Sequence, residues 1–347
     1  MPGTAAHLPL QASAAAVGDG AASDPFGERR ARRHALCFDL LGGRFGFHSD
    51  SRRLLALAEA AYAGLPPQRL PQAQEFRIEL DLLPPSERPC AAPPPPLRTH
   101  SGAGVLCGIL DDRNYVLIVP AERRALVAVS QDMLEHAYHV RYELIEFAVY
   151  VLAARGMGLM PLHGACAGRS GRGLLLLGAS GAGKSTLALH CLLGGLELLA
   201  EDSVFVEPEG LLATGAANFL HLRDSVLAHL DPQIGSWIGG SAQIRRRSGV
   251  EKFEVDLRRG PGRLACEPLR LAATVLLSAE AAPPGQPLLE RLPQAQAMLR
   301  LSLDQPYAAA QAGWPDFVRR LASLGVYRLR RGASADASLQ AIRGLLE

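Results

Sequence analysis

A glycine-rich segment between a leucine run and a helical pattern is the part of the chain with the clearest potential for chemistry. Residues 174–186 read LLLLGASGAGKST. The four leucines predict a strand buried on both faces, and the residues after Thr186 predict a helix. The glycines allow successive N–H groups to converge on an anion at the helix N-terminus. We therefore predict a phosphate-binding loop, with a chance glycine-rich turn as the alternative.

Two side chains of this segment could bind a nucleoside triphosphate and its Mg²⁺. Lys184 would reach the β- and γ-phosphates as a point charge, and the Ser185 hydroxyl would take a place on Mg²⁺. The predicted cofactors are therefore ATP and Mg²⁺. The residues expected to hold the nucleotide are Gly178, Ala179, Ser180, Gly181, Ala182, Gly183, Lys184, Ser185 and Thr186.

The composition limits the class of protein. With 347 residues, 48% of them hydrophobic, the chain can bury a full core and is expected to form two domains. The net charge of +2 gives no reason to expect nucleic acid or a membrane surface as a partner. Six scattered cysteines without metal-ligand spacing read as reduced thiols, which predicts a cytoplasmic protein.

Lysine is rare in this chain. Of 36 basic residues only Lys184 and Lys252 are lysines, which a compositional bias toward arginine explains. Arginine cannot replace lysine where a compact point charge is needed. Lys252 is therefore a candidate site residue beside Lys184.

The organisation is predicted from composition and periodicity. Residues 1–34 read as a disordered tail, 35–130 as a small α/β domain, 131–158 as a linking helix and 159–347 as the phosphate-loop domain. The small domain should contain a hairpin around Gly42 and Gly43, a helix, a strand at 76–83 and an exposed proline-rich loop at 84–98. His136 and His139 lie three apart on the linking helix, but without a third ligand a solvated or packed pair is the better interpretation.

Three further residues accompany the loop. His163 lies in MPLHGACAG, which we expect to pair as a strand with the leucine strand; a structural histidine is the alternative. Glu201 and Asp202 end an apolar run after the phosphate-loop helix. Carboxylates at such a position hold Mg²⁺ or accept the proton of an attacking hydroxyl.

The order of H-G-A, GASGAGKST and LLAEDSV, over roughly residues 160–260, resembles the catalytic domain of the HPr kinase/phosphorylase family. The resemblance implies an α/β phosphate-loop domain with a mixed sheet, of the type shared with phosphoenolpyruvate carboxykinase. It also implies a serine kinase that acts on a protein or peptide. Ser185 and Asp202 would then handle Mg²⁺, Glu201 would be the general base, and His163 would sit near the transferred phosphoryl group with Lys184.

Departures from the family narrow this expectation. The chain has no counterpart of the family's signature loop, and its N-terminal region differs from the usual regulatory domain. It is more similar to divergent relatives that phosphorylate ribosomal peptides, and the N-terminal domain would help to select the substrate. A phosphoenolpyruvate carboxykinase and a non-catalytic nucleotide-binding switch remain as alternatives. A homo-oligomer is a further possibility for the kinase and for both alternatives.

A basic segment at 240–260 is a candidate lid. Its glycines would let it move, and its cations would meet phosphate or an acidic peptide; a solvated basic loop is the alternative. The cations are Arg245, Arg246, Arg247 and Lys252. Further along, Tyr307, Trp314 and Phe317 are expected either to shape a pocket or to pack in the core.

Overall fold

The computed structural model describes residues 32–85, 93–332 and 334–347 and shows a mixed α/β protein. The first sheet has the strand order β1-β2-β3-β7-β6-β5-β4, with parallel pairing between β2, β3 and β7. One helix, α1, packs on it. The elements are β1 (His34–Leu40), β2 (Gly43–Ser49), α1 (Arg52–Tyr62), β3 (Glu75–Leu83), β4 (Arg98–Gly102), β5 (Val105–Ile109), β6 (Tyr115–Val119) and β7 (Arg124–Ser130).

This sheet confirms the hairpin, the helix and the strand that we predicted between residues 35 and 83. Of the predicted tail, residues 1–31 lie outside the described residues. Arg32 is ordered by ion pairs to Asp50 at 3.4 Å and to Asp81 at 2.6 Å. In the predicted proline-rich loop, residues 86–92 also lie outside the described part.

The predicted linking helix is helical but irregular. It contains α2 (Ala137–His139) and α3 (Glu146–Val151), preceded by a 3₁₀ turn and interrupted by π-helical turns at Val140–Ile145 and Leu152–Gly156. Its apolar face is buried against the first sheet. Short π-helical turns are frequent at functional sites because they turn side chains away from the regular helical face.

The rest of the chain forms a second and a third sheet. The second has the order β17-β11-β9-β10-β18-β13-β12-β8, with β20 and then β19 attached to β18, and the third has the order β14-β16-β15. The strands are β8 (Met160–His163), β9 (Ala165–Arg169), β10 (Arg172–Leu177), β11 (Glu197–Ala200), β12 (Ser203–Glu207), β13 (Leu212–Gly215), β14 (Phe219–Leu222), β15 (Ala242–Arg245), β16 (Glu251–Asp256), β17 (Arg263–Leu264), β18 (Leu269–Ala281), β19 (Leu289–Arg291) and β20 (Val326–Arg331). The helices are α4 (Lys184–Leu193), α5 (Pro232–Gly239), α6 (Gln294–Asp304), α7 (Pro306–Ala309), α8 (Trp314–Leu324) and α9 (Ala335–Arg343).

The predicted hairpin beside the leucine strand is present, but His163 is not part of it. β9 pairs antiparallel with β10, whereas His163 ends β8, which pairs with β12 at the far edge of the sheet. The chain crosses between these strands at Gly164, where a Cβ would lie 2.4 Å from Leu177 Cδ2. That Cβ would also lie 2.7 Å from the Leu176 carbonyl oxygen, so the close approach favours glycine at this crossing, and the predicted strand is divided into two.

Specific hydrogen bonds join the N-terminal part of the chain to the segment between β16 and β18. The Arg258 guanidinium donates to the carbonyls of Ala60 and Ala63 at the end of α1, both at 2.9 Å. The Gln68 side chain donates to the carbonyl of Ala265 at 2.8 Å. These bonds satisfy carbonyls that a helix end or a loop leaves free. Across the described ranges, no helix has both the length and the apolar character needed to cross a membrane.

Candidate functional site

The glycine-rich loop joins the buried strand β10 to α4, as predicted. Gly181 and Gly183 have φ angles of +83° and +96°, and nothing lies within 4 Å of where a Cβ would stand. Lys184 is buried, and its Nζ donates to the carbonyls of Gly178 at 2.7 Å and Ala179 at 3.3 Å. Burial lowers the pKa of Lys184. The open loop and the enclosed cation fit an anion at the start of α4.

Ser185 and Glu201 form one side of the site. The Ser185 hydroxyl donates to Glu201 Oε1, and Glu201 is buried just beyond the end of β11. In the parts of the chain that the structure describes, no cluster of three or more His, Cys, Asp or Glu residues could hold a metal. Mg²⁺ needs fewer protein ligands than that, because phosphates and waters complete its shell. A hydroxyl and a carboxylate beside a phosphate loop therefore fit Mg²⁺.

Asp202 faces away from Glu201 and toward His163. Its Oδ1 lies 3.3 Å from His163 Nδ1, and its Oδ2 lies 3.4 Å from the Tyr142 hydroxyl and 3.6 Å from Arg246 Nη2. Burial by itself would raise the pKa of Asp202, but His163 and Arg246 outweigh it and the pKa is lowered. The carboxylate is therefore ionised.

A chain of buried charges connects Glu201 to the helical segment. Glu201 Oε2 lies 3.6 Å from His221 Nδ1, and His221 Nε2 lies 3.4 Å from Glu254 Oε1. Arg141 donates to Glu254 and, at 2.7 Å, to Glu146. The residues that hold the phosphate-loop serine are thus linked through β14 and β16 to the irregular helix.

His221 is the titratable centre of this chain of charges. Burial is the largest influence and by itself favours the neutral ring, but Glu201 and Glu254 outweigh it, so the pKa of His221 is raised above 6.5. The protonated ring therefore stabilises the folded state below that pH, and this contribution is lost as pH rises through the raised pKa.

A pH series should reveal this contribution. We expect the difference in unfolding free energy between the wild type and His221→Gln to be largest below about pH 6.5, and to shrink above it by up to about 1.4 kcal/mol per pH unit. Urea unfolding from pH 5.5 to 8.5 measures it. His48→Gln is the matched control, because burial and Arg77 lower the pKa of His48. The difference in unfolding free energy between the wild type and His48→Gln should therefore grow, not shrink, as the pH rises. A difference for His221→Gln that does not depend on pH would contradict the expectation.

The predicted lid is a β-hairpin. β15 and β16 pair antiparallel and join β14 in the third sheet. Arg246 and Lys252 line the cleft around Lys184, whereas Arg245 does not. Arg247 lies outside the cleft as well, because it binds Glu143 and the carbonyls of two prolines, Pro94 and Pro95. The tip of the hairpin is thus attached to the helical segment and to the proline-rich loop.

Two cavities border the glycine-rich loop. The first, a polar cleft of about 360 Å³, is lined by Lys184, Ser185, Asp202 and His163. The second, of about 750 Å³, lies on the other side of the loop and shares Gly181, Gly183 and Thr186 with the first. A triphosphate bound along the loop would have its transferred end in the cleft, and the larger cavity has room for its nucleoside.

Sequence reasoning missed the residues that surround the acidic pair. Tyr142, Arg141, His221 and Glu254 reach the site from the helical segment and from the third sheet. A signal was present, because Arg141 and Glu146 stand within an apolar helical pattern and must find partners when they are buried. His136 and His139, which we interpreted as a solvated or packed pair, lie on the helical segment, and His139 Nδ1 lies 3.2 Å from Glu143 Oε1.

Comparisons with known proteins give a distant structural likeness. No protein-family model and no curated protein matches the sequence. Among solved structures, the HPr(Ser) kinase/phosphatase from Coxiella burnetii aligns with 52% of this chain and 91% of its own length, with 13% identity and a TM-score of 0.27. This overlap is too weak to establish a shared fold, so the function is inferred below from the site itself.

Proposed function

We propose that this protein is an ATP- and Mg²⁺-dependent serine kinase that transfers the γ-phosphoryl group to a serine of a protein or ribosomal peptide. One observation carries the proposal. A glycine-rich loop with an enclosed lysine, the Ser185 hydroxyl and Asp202 beside His163 line the same cleft, and Ser185 donates to the buried Glu201. Phosphoryl transfer requires positioning and charge neutralisation, and these groups supply both.

The contacts favour the opposite assignment of Glu201 and Asp202 from the one that the resemblance implies, with Glu201 on the Mg²⁺ side and Asp202 as the base. Glu201 already accepts from Ser185, so we assign Glu201 and Ser185 to the Mg²⁺ side. Asp202 faces the cleft beside His163, so we assign Asp202 as the general base. When bound, Mg²⁺ would neutralise charge on the phosphates.

The remaining groups have defined parts in the transfer. Asp202 accepts the proton of the acceptor serine as its oxygen forms a bond to the γ-phosphorus, and the bond between that phosphorus and the leaving ADP oxygen breaks with its electron pair. Lys184 and Arg246 offset the negative charge of the phosphates. His163 and the Tyr142 hydroxyl hold Asp202 in position.

The helical segment at 131–158 contacts the site directly, because it supplies Tyr142 to Asp202 and Arg141 to Glu254. Together with residues 35–130, against which its apolar face packs, we call it the N-terminal unit. We propose that this unit helps to select the polypeptide that receives the phosphoryl group.

The test is transfer of label from γ-labelled ATP to serine peptides. We expect Mg²⁺-dependent incorporation into a peptide library that contains serine, none into the same library with alanine at that position, and loss of incorporation on addition of EDTA. Mass spectrometry locates the phosphoserine. Nucleotide binding without transfer to any peptide or protein would instead indicate a switch module.

A further inference from the structure

A third cavity opens beside His163, separate from the two that border the glycine-rich loop. It measures about 490 Å³ and lies between the helical segment, β8 and the start of α7. Its walls are mainly apolar. They include Phe147, Tyr150, Leu162, Phe205 and Tyr307, and we call this recess the apolar groove.

An exposed apolar stripe leads to this groove. Along the described chain, the large hydrophobic side chains that are exposed are Leu117, Leu299, Leu303 and Tyr307. The last three are spaced four residues apart and are 62%, 64% and 51% exposed. They run along α6 into α7 and end at the groove. Exposed apolar surface gathered in one place marks an interaction site more often than single exposed side chains do.

The groove is continuous with the site of transfer. His163 lines both the groove and the cleft, and its ring contacts Asp202. An acceptor serine within reach of Asp202 has neighbours that can extend only about 3.3–3.6 Å per residue. Three extended residues span at most about 10 Å, so the groove, which His163 shares with the cleft, lies within the reach of residues close to that serine. The other walls of the cleft are the phosphate loop, the end of β14 with the residues that follow it, and the hairpin that carries Arg246 and Lys252.

The groove is suited to a side chain rather than to an added strand. β8 is the edge strand, but the Gln305 amide occupies its backbone at His163 by accepting from the N–H at 2.7 Å and donating to the carbonyl at 3.1 Å. Pro161 has no N–H to offer. The backbone of β8 therefore has no free N–H or carbonyl at Pro161 N and His163 with which an extended peptide could pair. Recognition would depend on the apolar walls instead.

We propose that the apolar groove binds a large apolar side chain within three residues of the acceptor serine, so that the protein selects polypeptides with a hydrophobic residue beside that serine. This inference rests on the proposed kinase function. It adds a class of acceptor, defined by chemistry, to the transfer site.

Matched peptides test the groove. Two labelled peptides share one serine and differ only in having leucine or glutamine at all three positions on each side of that serine. We expect kcat/KM for the leucine peptide to exceed that for the glutamine peptide roughly tenfold or more, mainly through KM, as one apolar contact in a pocket allows. Tyr307→Ser should bring this ratio close to one. Leu117→Gln, which changes an exposed leucine on β6, is the control and should keep the wild-type ratio.

The outcomes separate this inference from the kinase proposal. Equal transfer to both peptides overturns the groove and leaves the kinase intact. If neither peptide is phosphorylated, the kinase proposal fails, and fluorescence anisotropy then decides the groove alone: tighter binding of the leucine peptide supports it and equal binding overturns it. If Leu303→Gln and Tyr307→Ser dissociate an oligomer in sedimentation while the peptide ratio is unchanged, the stripe is an interface between copies and the inference is overturned.

Discussion

Asp202→Asn is expected to lower the rate of phosphoryl transfer about 10²- to 10⁴-fold while nucleotide binding is retained. The amide keeps the shape of the carboxylate and can still contact His163, but it cannot take the proton of the acceptor hydroxyl. The ionised state of Asp202 follows from its neighbours His163 and Arg246, which lower its pKa. Single-turnover label transfer at saturating ATP measures the loss, and binding of a fluorescent ATP analogue measures the nucleotide affinity.

Glu201→Gln tests whether Glu201 is the Mg²⁺ ligand and Asp202 the general base. Because Glu201 accepts from Ser185, we expect this variant to need more Mg²⁺ for half-maximal rate and to recover part of its activity at high Mg²⁺. Asp202→Asn should not be rescued by Mg²⁺. Asp316→Asn, an exposed carboxylate on α8, controls for the substitution itself. If Glu201→Gln is the variant that no Mg²⁺ concentration restores, and Asp202→Asn keeps its rate, the roles are those that the resemblance implies.

Arg141→Met is expected to lower the free energy of unfolding by about 3–5 kcal/mol. Arg141 is buried and pairs with both Glu146 and Glu254, so its removal leaves buried carboxylates without their cation. Methionine retains most of the apolar stem. Burial also raises the pKa of Glu146. The loss should therefore be smaller at acid pH, where this carboxyl group takes up a proton.

Urea unfolding at pH 7.5 and at pH 5 measures both parts of this expectation. The matched control is Arg319→Met, which breaks an exposed pair with Asp316 and should cause little or no change. The double variant Arg141→Met with Glu146→Gln should recover part of the loss, because one of the stranded charges is gone. An effect of Arg141→Met as small as that of the control would show that the buried charges are satisfied without the arginine.

Local sequence was enough for the elements whose patterns are strong. The leucine run became the strand β10, the helix predicted after Thr186 lies within α4, and the strand predicted at 76–83 is β3. Periodicity succeeded here because a buried strand needs a continuous apolar run and an amphipathic helix needs one apolar stripe. For Tyr307, Trp314 and Phe317 both alternatives apply, since Trp314 and Phe317 are core residues and Tyr307 is exposed at the apolar groove.

Local sequence patterns did not predict how strands that are distant in sequence pair with one another. The basic segment read as a lid or a loop, and it is a hairpin that is held in a sheet because β16 also pairs with β14 more than thirty residues earlier. The strand MPLHGACAG read as one element, and it is two because Gly164 must pass against Leu177. Both results depend on partners that are distant in sequence, and periodicity within a short window does not contain them.

The amino-acid sequence by itself determined which residues carry the chemistry of a phosphate-binding loop, because glycine φ angles, a helix N-terminus and a neighbouring lysine are local properties. It also determined that His163, Glu201 and Asp202 were candidates. Only the tertiary structure decided which way each carboxylate faces, and that a buried chain of charges joins Glu201 to Arg141. Such contacts depend on where separate strands and the irregular helix meet, since a buried charge is stabilised by whatever partner the fold brings within a few ångströms of it.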